Sequence, residues 1–181
     1  MTLISIRKPT SLLVPLALFL VSFLLRLFLI SKGPYHLDCL NLAILAEGSL
    51  DTGSLQSQFG PGYPVAVLLS AFFIFVSRIF SQNDPVIAVN LMSVVSSALC
   101  IPALYVIAEK LFGRLPAFLS AVIFSVTPIF LSISIYGKSH APSLFFLLTG
   151  ICFLLSFLET REKKTLVISS IFIGLMGASR L

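Results

Sequence analysis

Residues 84–108 read DPVIAVNLMSVVSSALCIPALYVIA, and between Pro85 and Ala108 no charged side chain occurs. A run of about 20 apolar residues is long enough, as a helix, to cross the hydrocarbon core of a bilayer. The start of the run is marked as well. Asp84 has the side chain of a helix N-cap, and Pro85 suits the first helical position, where no backbone N–H is needed. Four further runs have the same character, at about residues 11–30, 116–134, 141–158 and 165–181. Pro102 and Pro128 fall inside spans and are expected to kink them, which membrane helices tolerate.

Composition agrees with that reading. Of 181 residues, 57% are hydrophobic and only 10% are charged, against about 45–50% and about 25% in soluble domains. There is too little polar side chain to cover a soluble surface. The fold class expected is all-α, a polytopic transmembrane protein of about five spans plus one interfacial or re-entrant helix. The formal charge of +5 is assigned to basic loops that orient the chain in the bilayer. No basic run with interleaved aromatics points to nucleic acid. Cys39, Cys100 and Cys152 form no CxxC pair, so neither a redox nor a zinc site is indicated. The first apolar run follows Arg7 and Lys8. It is longer than a typical signal-peptide core and lacks a small-residue cleavage site, so it reads as a retained anchor.

The segment Val65–Phe80 decides the topology. With Arg7 and Lys8 in the cytoplasm and this segment not crossing, seven basic residues lie inside and three outside. If it crosses, the counts become four and six. The excess of Lys and Arg on cytoplasmic loops favours the first arrangement, with Val65–Phe80 at the interface. The polar stretch from Ser31 to Tyr63, within a first outer loop of 31–84, then shares one face with the turn Tyr136-Gly137-Lys138-Ser139-His140 and with Arg180. In the six-crossing alternative, Lys138, His140 and Arg180 leave Asp38 for the opposite face.

One acid and several cations at a membrane face suit transfer of a sugar from a polyprenyl phosphate. The lipid stays in the bilayer and the sugar phosphate sits at the interface. A carboxylate takes the acceptor's proton, and cations stabilise the departing phosphate. Arg suits phosphate as a planar fork and Lys as a point charge.

The order of features resembles the membrane glycosyltransferases of the GT-C class, in particular glycosyltransferase family 39, the protein O-mannosyltransferase and aminoarabinose-transferase group. Leu37-Asp38-Cys39-Leu40-Asn41-Leu42-Ala43-Ile44-Leu45-Ala46-Glu47-Gly48 resembles that family's first outer loop, an Asp-Glu pair followed by a short amphipathic helix. Asp38 matches the catalytic base, and Cys39 stands where the family usually has Glu. Gly60-Pro61-Gly62-Tyr63-Pro64 resembles the family's lead into a juxtamembrane helix. Lys110-Leu111-Phe112-Gly113-Arg114 resembles its short cytoplasmic turn, and Thr127-Pro128 its Ser/Thr-Pro. His140, in Gly137-Lys138-Ser139-His140-Ala141-Pro142, occupies the position of a second acid. Gly174-Leu175-Met176-Gly177-Ala178-Ser179-Arg180 resembles a Gly-rich helix end closing on a phosphate-binding cation.

The resemblance implies a hexosyl or pentosyl transferase in a multi-pass plasma-membrane setting with a cytoplasmic N-terminus. Its partners would be a polyprenyl-phosphate sugar donor and a lipid, glycan or protein acceptor. Asp38 would be the base, and Lys138, His140 and Arg180 would bind the donor phosphate. No cofactor is called for, and a divalent metal has no support. Family members typically continue past this length, so residues 1–181 are expected to be the N-terminal portion of such a domain, with an inactive fragment as one outcome.

Plainer readings stand beside these. Asp38 also reads as a helix N-cap or solvated acid, Glu47 and Asp51 as solvated. Lys138 and His140 also suit an ordinary interface, and Arg180 an interfacial anchor. Arg26 is expected to snorkel to the outer interface. Tyr35 and Tyr63 suit interfacial anchoring. A small transporter or flippase component is the rival function. Its sites would lie at mid-membrane on broken helices, whereas the ionisable residues here gather at span ends.

Overall fold

The structure, a computed structural model, describes residues 12–56 and 63–180. Arg7 and Lys8, used to orient the chain, and Gly60-Pro61-Gly62 lie outside the described residues. Eight helices follow one another: α1 (Leu13–Leu29), α2 (Leu37–Thr52), α3 (Pro64–Ile79), α4 (Pro85–Phe112), α5 (Arg114–Val126), α6 (Pro128–Ser134), α7 (His140–Thr160) and α8 (Lys163–Arg180). All regular structure among the described residues is helical. By length and composition α4 and α7 are able to cross a membrane, and α5 with α6 makes a third candidate bent by 61°. Helices α1 and α3 are apolar but shorter, and α8 carries Lys163, Lys164 and Arg180 at its ends.

Local sequence explains the boundaries. The Asp84 carboxylate accepts hydrogen bonds from Val86 N at 2.9 Å and Ile87 N at 3.4 Å, so it is the N-cap expected of it. Helix α4 runs through Pro102 and outlasts its apolar run, ending at Gly113, whose φ of 91° favours glycine. The extra turn is possible because Lys110, buried, donates to Glu159 Oε2 at 2.7 Å and Ser156 Oγ at 3.1 Å. The single span expected over 116–134 is two helices. Pro128 has no N–H and disfavours helix at Thr127, and the break falls between them.

Contacts fix the direction of each pass. Ser31 N, just past α1, donates to Ile135 O, just past α6, at 2.9 Å. Asn90, near the start of α4, donates to Ser31 O at 2.9 Å and accepts from Gly137 N at 2.7 Å. The ends of α1 and α6 therefore meet the starts of α4 and α7. The Lys110–Glu159 pair joins the ends of α4 and α7 at the other end of the bundle. Helix α8 returns from there, since Arg180 lines a cavity with Asp38. Helix α3 starts beside that cavity. Tyr63, before its first residue, lines that same cavity, and its last residue is a short link from the start of α4. Its outward stripe of Leu68, Phe72, Phe75 and Ile79 is exposed, as suits a helix lying against lipid at an interface.

Two cores result. Ala66, Val67, Ala71 and Ile74 of α3 pack with Leu42, Ala43 and Ala46 of α2 and with Val86, Val89 and Met92 of α4. Ile101, Tyr105 and Ala108 of α4 pack with Ala117 and Ala121 of α5, Phe130 of α6 and Leu148 of α7. Small residues permit close approach, as is usual where helices pack within lipid. Ser169 of α8, for example, donates to Gly150 O of α7 at 2.8 Å.

Two expectations are corrected. Arg26 does not snorkel; it is fully buried. Its guanidinium donates to Ser22 Oγ at 2.5 Å, Ser125 Oγ at 3.2 Å and Ser125 O at 3.1 Å, and lies 5.1 Å from the Phe130 ring centroid. The α1–α5 seam solvates the charge that an isolated α1 would have had to extend into water. Glu47 and Asp51 are not merely solvated. They receive Arg78 of α3 at 2.8 and 3.0 Å, tying the last turns of α2 and α3 together.

Candidate active site

Asp38 stands in the first turn of α2, where a carboxylate complements the helix dipole. His36 is the N-cap, its Nδ1 accepting from Asp38 N at 3.2 Å. The same nitrogen lies 3.3 Å from Asp38 Oδ2. A neutral ring with a bare Nδ1 caps the helix; a protonated ring donates to the carboxylate instead. Lys138 Nζ lies 3.6 Å from the same Oδ2. Both contacts therefore fall on one carboxylate oxygen, Oδ2.

Lys138 comes from the tight turn between α6 and α7. Its side chain is only 15% exposed, against 45% for Asp38, and its ammonium sits 5.5 Å from the centroid of the Tyr136 ring. Tyr136 in turn packs on Tyr35, with centroids 5.2 Å apart. The backbone of this turn is gripped by α4. Gly137 N donates to Asn90 Oδ1 at 2.7 Å, Lys138 N donates to Ser93 Oγ at 3.0 Å, and Ser93 Oγ lies 3.3 Å from Lys138 O. Asn90 Oδ1 also accepts from Cys39 Sγ at 3.2 Å. Burial pushes the Cys39 thiol up from its ordinary pKa.

Asp38, Lys138, His140 and Arg180 line one cavity of about 230 Å³, together with Leu42, Tyr63 and Ser139. Asp38 arrives from α2, Lys138 from the turn, His140 from the first residue of α7 and Arg180 from the last of α8. His140 Nδ1 is sealed from solvent and has no hydrogen-bond partner among the described residues. The cavity thus offers one carboxylate, an ammonium, a guanidinium and an imidazole. Among the described residues no group of three or more His, Cys, Asp or Glu side chains is disposed to hold a metal ion. The chemistry that the set supports is acceptance of a proton beside stabilisation of an anion.

The four residues singled out in the sequence share this cavity. Three others that shape it were not singled out for that purpose. Asn90 and Ser93 sit three apart on α4, and polar residues at helical spacing within an otherwise apolar span were the available signal. Tyr63, read as an interfacial anchor, also lines the cavity wall.

A family model, dolichyl-phosphate-mannose-protein mannosyltransferase, matches residues 62–181, about two thirds of the chain. The match takes in α3 to α8 with Lys138, His140 and Arg180, and begins after Asp38. No curated protein and no solved structure matches. The chain is an integral membrane protein of apolar helices, and it belongs to the dolichyl-phosphate-mannose-protein mannosyltransferase family, membrane glycosyltransferases of the GT-C type.

Proposed function

We propose that this chain contributes the donor site of a transferase that moves a sugar from a polyprenyl phosphate to an acceptor hydroxyl at the outer membrane face. The observation that carries the reading is the single cavity shared by Asp38, Lys138, His140 and Arg180. The acceptor oxygen attacks the sugar's anomeric carbon. The bond from that carbon to the phosphate oxygen breaks, and the polyprenyl phosphate leaves with the electron pair. The acceptor's proton passes to the Asp38 carboxylate. Lys138 and Arg180 receive the negative charge that develops on the leaving phosphate, and His140 Nδ1 supplies a further polar contact. Helix α3, which leaves the cavity at Tyr63 with its apolar stripe outward, gives the lipid tail a surface to lie along.

The five-pass arrangement with a cytoplasmic N-terminus belongs to the same proposal. It rests on the basic residues Lys110, Arg114, Arg161, Lys163 and Lys164 near the end opposite the cavity. A plasma-membrane setting and a lipid, glycan or protein acceptor complete it. Asp38→Asn keeps the side chain's shape and removes the base. In vesicles containing the full chain and a polyprenyl-phosphate mannose donor, this variant is expected to lose transfer by about 100-fold or more with membrane insertion intact. Transfer at the parent rate would remove Asp38 from the chemistry.

A further inference from the structure

Helix α4 is apolar except for a few side chains, and two of these serve nothing within their own helix. Asn90 is fully buried, and its amide reaches three separate segments. Oδ1 accepts from Gly137 N and from Cys39 Sγ, and Nδ2 donates to Ser31 O at 2.9 Å and Gly33 O at 3.4 Å. Ser93, one turn further on and equally buried, closes on both backbone groups of Lys138. Asn90 thus holds Cys39 next to Asp38 and Gly137 next to Lys138 through one oxygen. The packing there leaves no slack. A Cβ on Gly137 would overlap Val89 Cγ1 and stand 3.1 Å from Cys39 Sγ.

We propose that Asn90 and Ser93 are positioning residues of the transferase site, which set the separation of Asp38 and Lys138 by gripping the two backbone segments that carry them. Neither touches the cavity. Buried amide networks of this kind leave an unsatisfied donor or acceptor when one member is lost, so the turn has a single preferred seat. The role differs from that of Ser97 on the same helix, whose hydroxyl donates to Val94 O of that helix. This inference rests on the function proposed above, and its first test does not use transfer at all.

That test is acylation of the intact chain in detergent with sulfo-N-hydroxysuccinimide acetate, read by mass spectrometry at Lys138 relative to the exposed Lys32. Asn90→Ala and Ser93→Ala free the turn, and the Lys138 rate is expected to rise about five- to tenfold. Ser97→Ala, which leaves the grip intact, is expected to match the parent. A Lys138 rate unmoved by Asn90→Ala and Ser93→Ala would overturn the proposal. The second test is a double-mutant cycle in the mannose-transfer assay. Asn90→Ala lowers kcat in the parent, and its cost is expected to be smaller in a Lys138→Gln background, because one of the two residues it positions is already gone. Full additivity would show that Asn90 acts elsewhere and would also overturn the inference. Parental transfer by Asp38→Asn, by contrast, would sink the proposed function and leave the acylation result standing.

Discussion

The two ends of this helix bundle hold similar charges in different states. At one end Lys110 and Glu159 meet at 2.7 Å with side-chain exposures of 5% and 20%, and Arg114 lies 3.5 Å from the buried Glu109. At the other, Asp38 stands 3.6 Å from Lys138 and 3.3 Å from His36, half open to a cavity that His140 and Arg180 also line. The first set is closed on itself and locks helix ends together. The second set has loose pairing and room between its members, so its charges are available to a third party.

The comparison can be broken at several points. Lys110→Met removes the buried partner of Glu159, which is itself open to solvent. Breaking a buried pair from one side costs about 3–5 kcal/mol, and because Glu159 can be solvated the expected loss falls below that range. It would be read as a fall in thermal midpoint in detergent, with Lys138 acylation unaffected. Gly137→Ala acts at the cavity end. Overpacking at a tight contact costs about 1–3 kcal/mol, and here it also pushes Lys138 from Asp38, so transfer should drop more than stability does. Arg78→Ala removes exposed ion pairs with Glu47 and Asp51, worth about 1 kcal/mol or less, and its effect should fade in high salt as screening grows. Smallest is the behaviour of Cys39. Its pKa lies above the ordinary thiol value, so less of it is thiolate at neutral pH, and maleimide labelling should be slow and should quicken as pH is raised toward that pKa. Rapid labelling of Cys39 at neutral pH would mean that the α2–α4 packing is open.

Much of this architecture was legible in the amino-acid order, for identifiable reasons. Span-length apolar runs bounded by Asp84-Pro85 or by Gly113 announce their own helices, because their determinants are local. The gathering of Asp38, Lys138, His140 and Arg180 came from counting basic residues on alternate faces and from the resemblance of short motifs in order. What stayed hidden depends on partners remote in sequence. Arg26 reads as a snorkelling cation until Ser125 of α5 is beside it. Arg78 shows no partner until α3 folds along α2 and brings it to Glu47 and Asp51. Asn90 reads as a lone polar residue until three segments converge on it. The break at Thr127-Pro128 was signalled by proline, but its 61° angle is set by packing.

A shared cavity requires residues 38 and 138 to lie on the same side of the membrane. Its most direct test is single cysteines at positions 36, 112 and 138, in a cysteine-free background, probed in sealed oriented vesicles with a membrane-impermeant maleimide. Labelling of positions 36 and 138 from one side, and of 112 only from the other, is the result predicted. Labelling of 36 and 138 from opposite sides would contradict the account, because the acid and the cation would then have no common cavity.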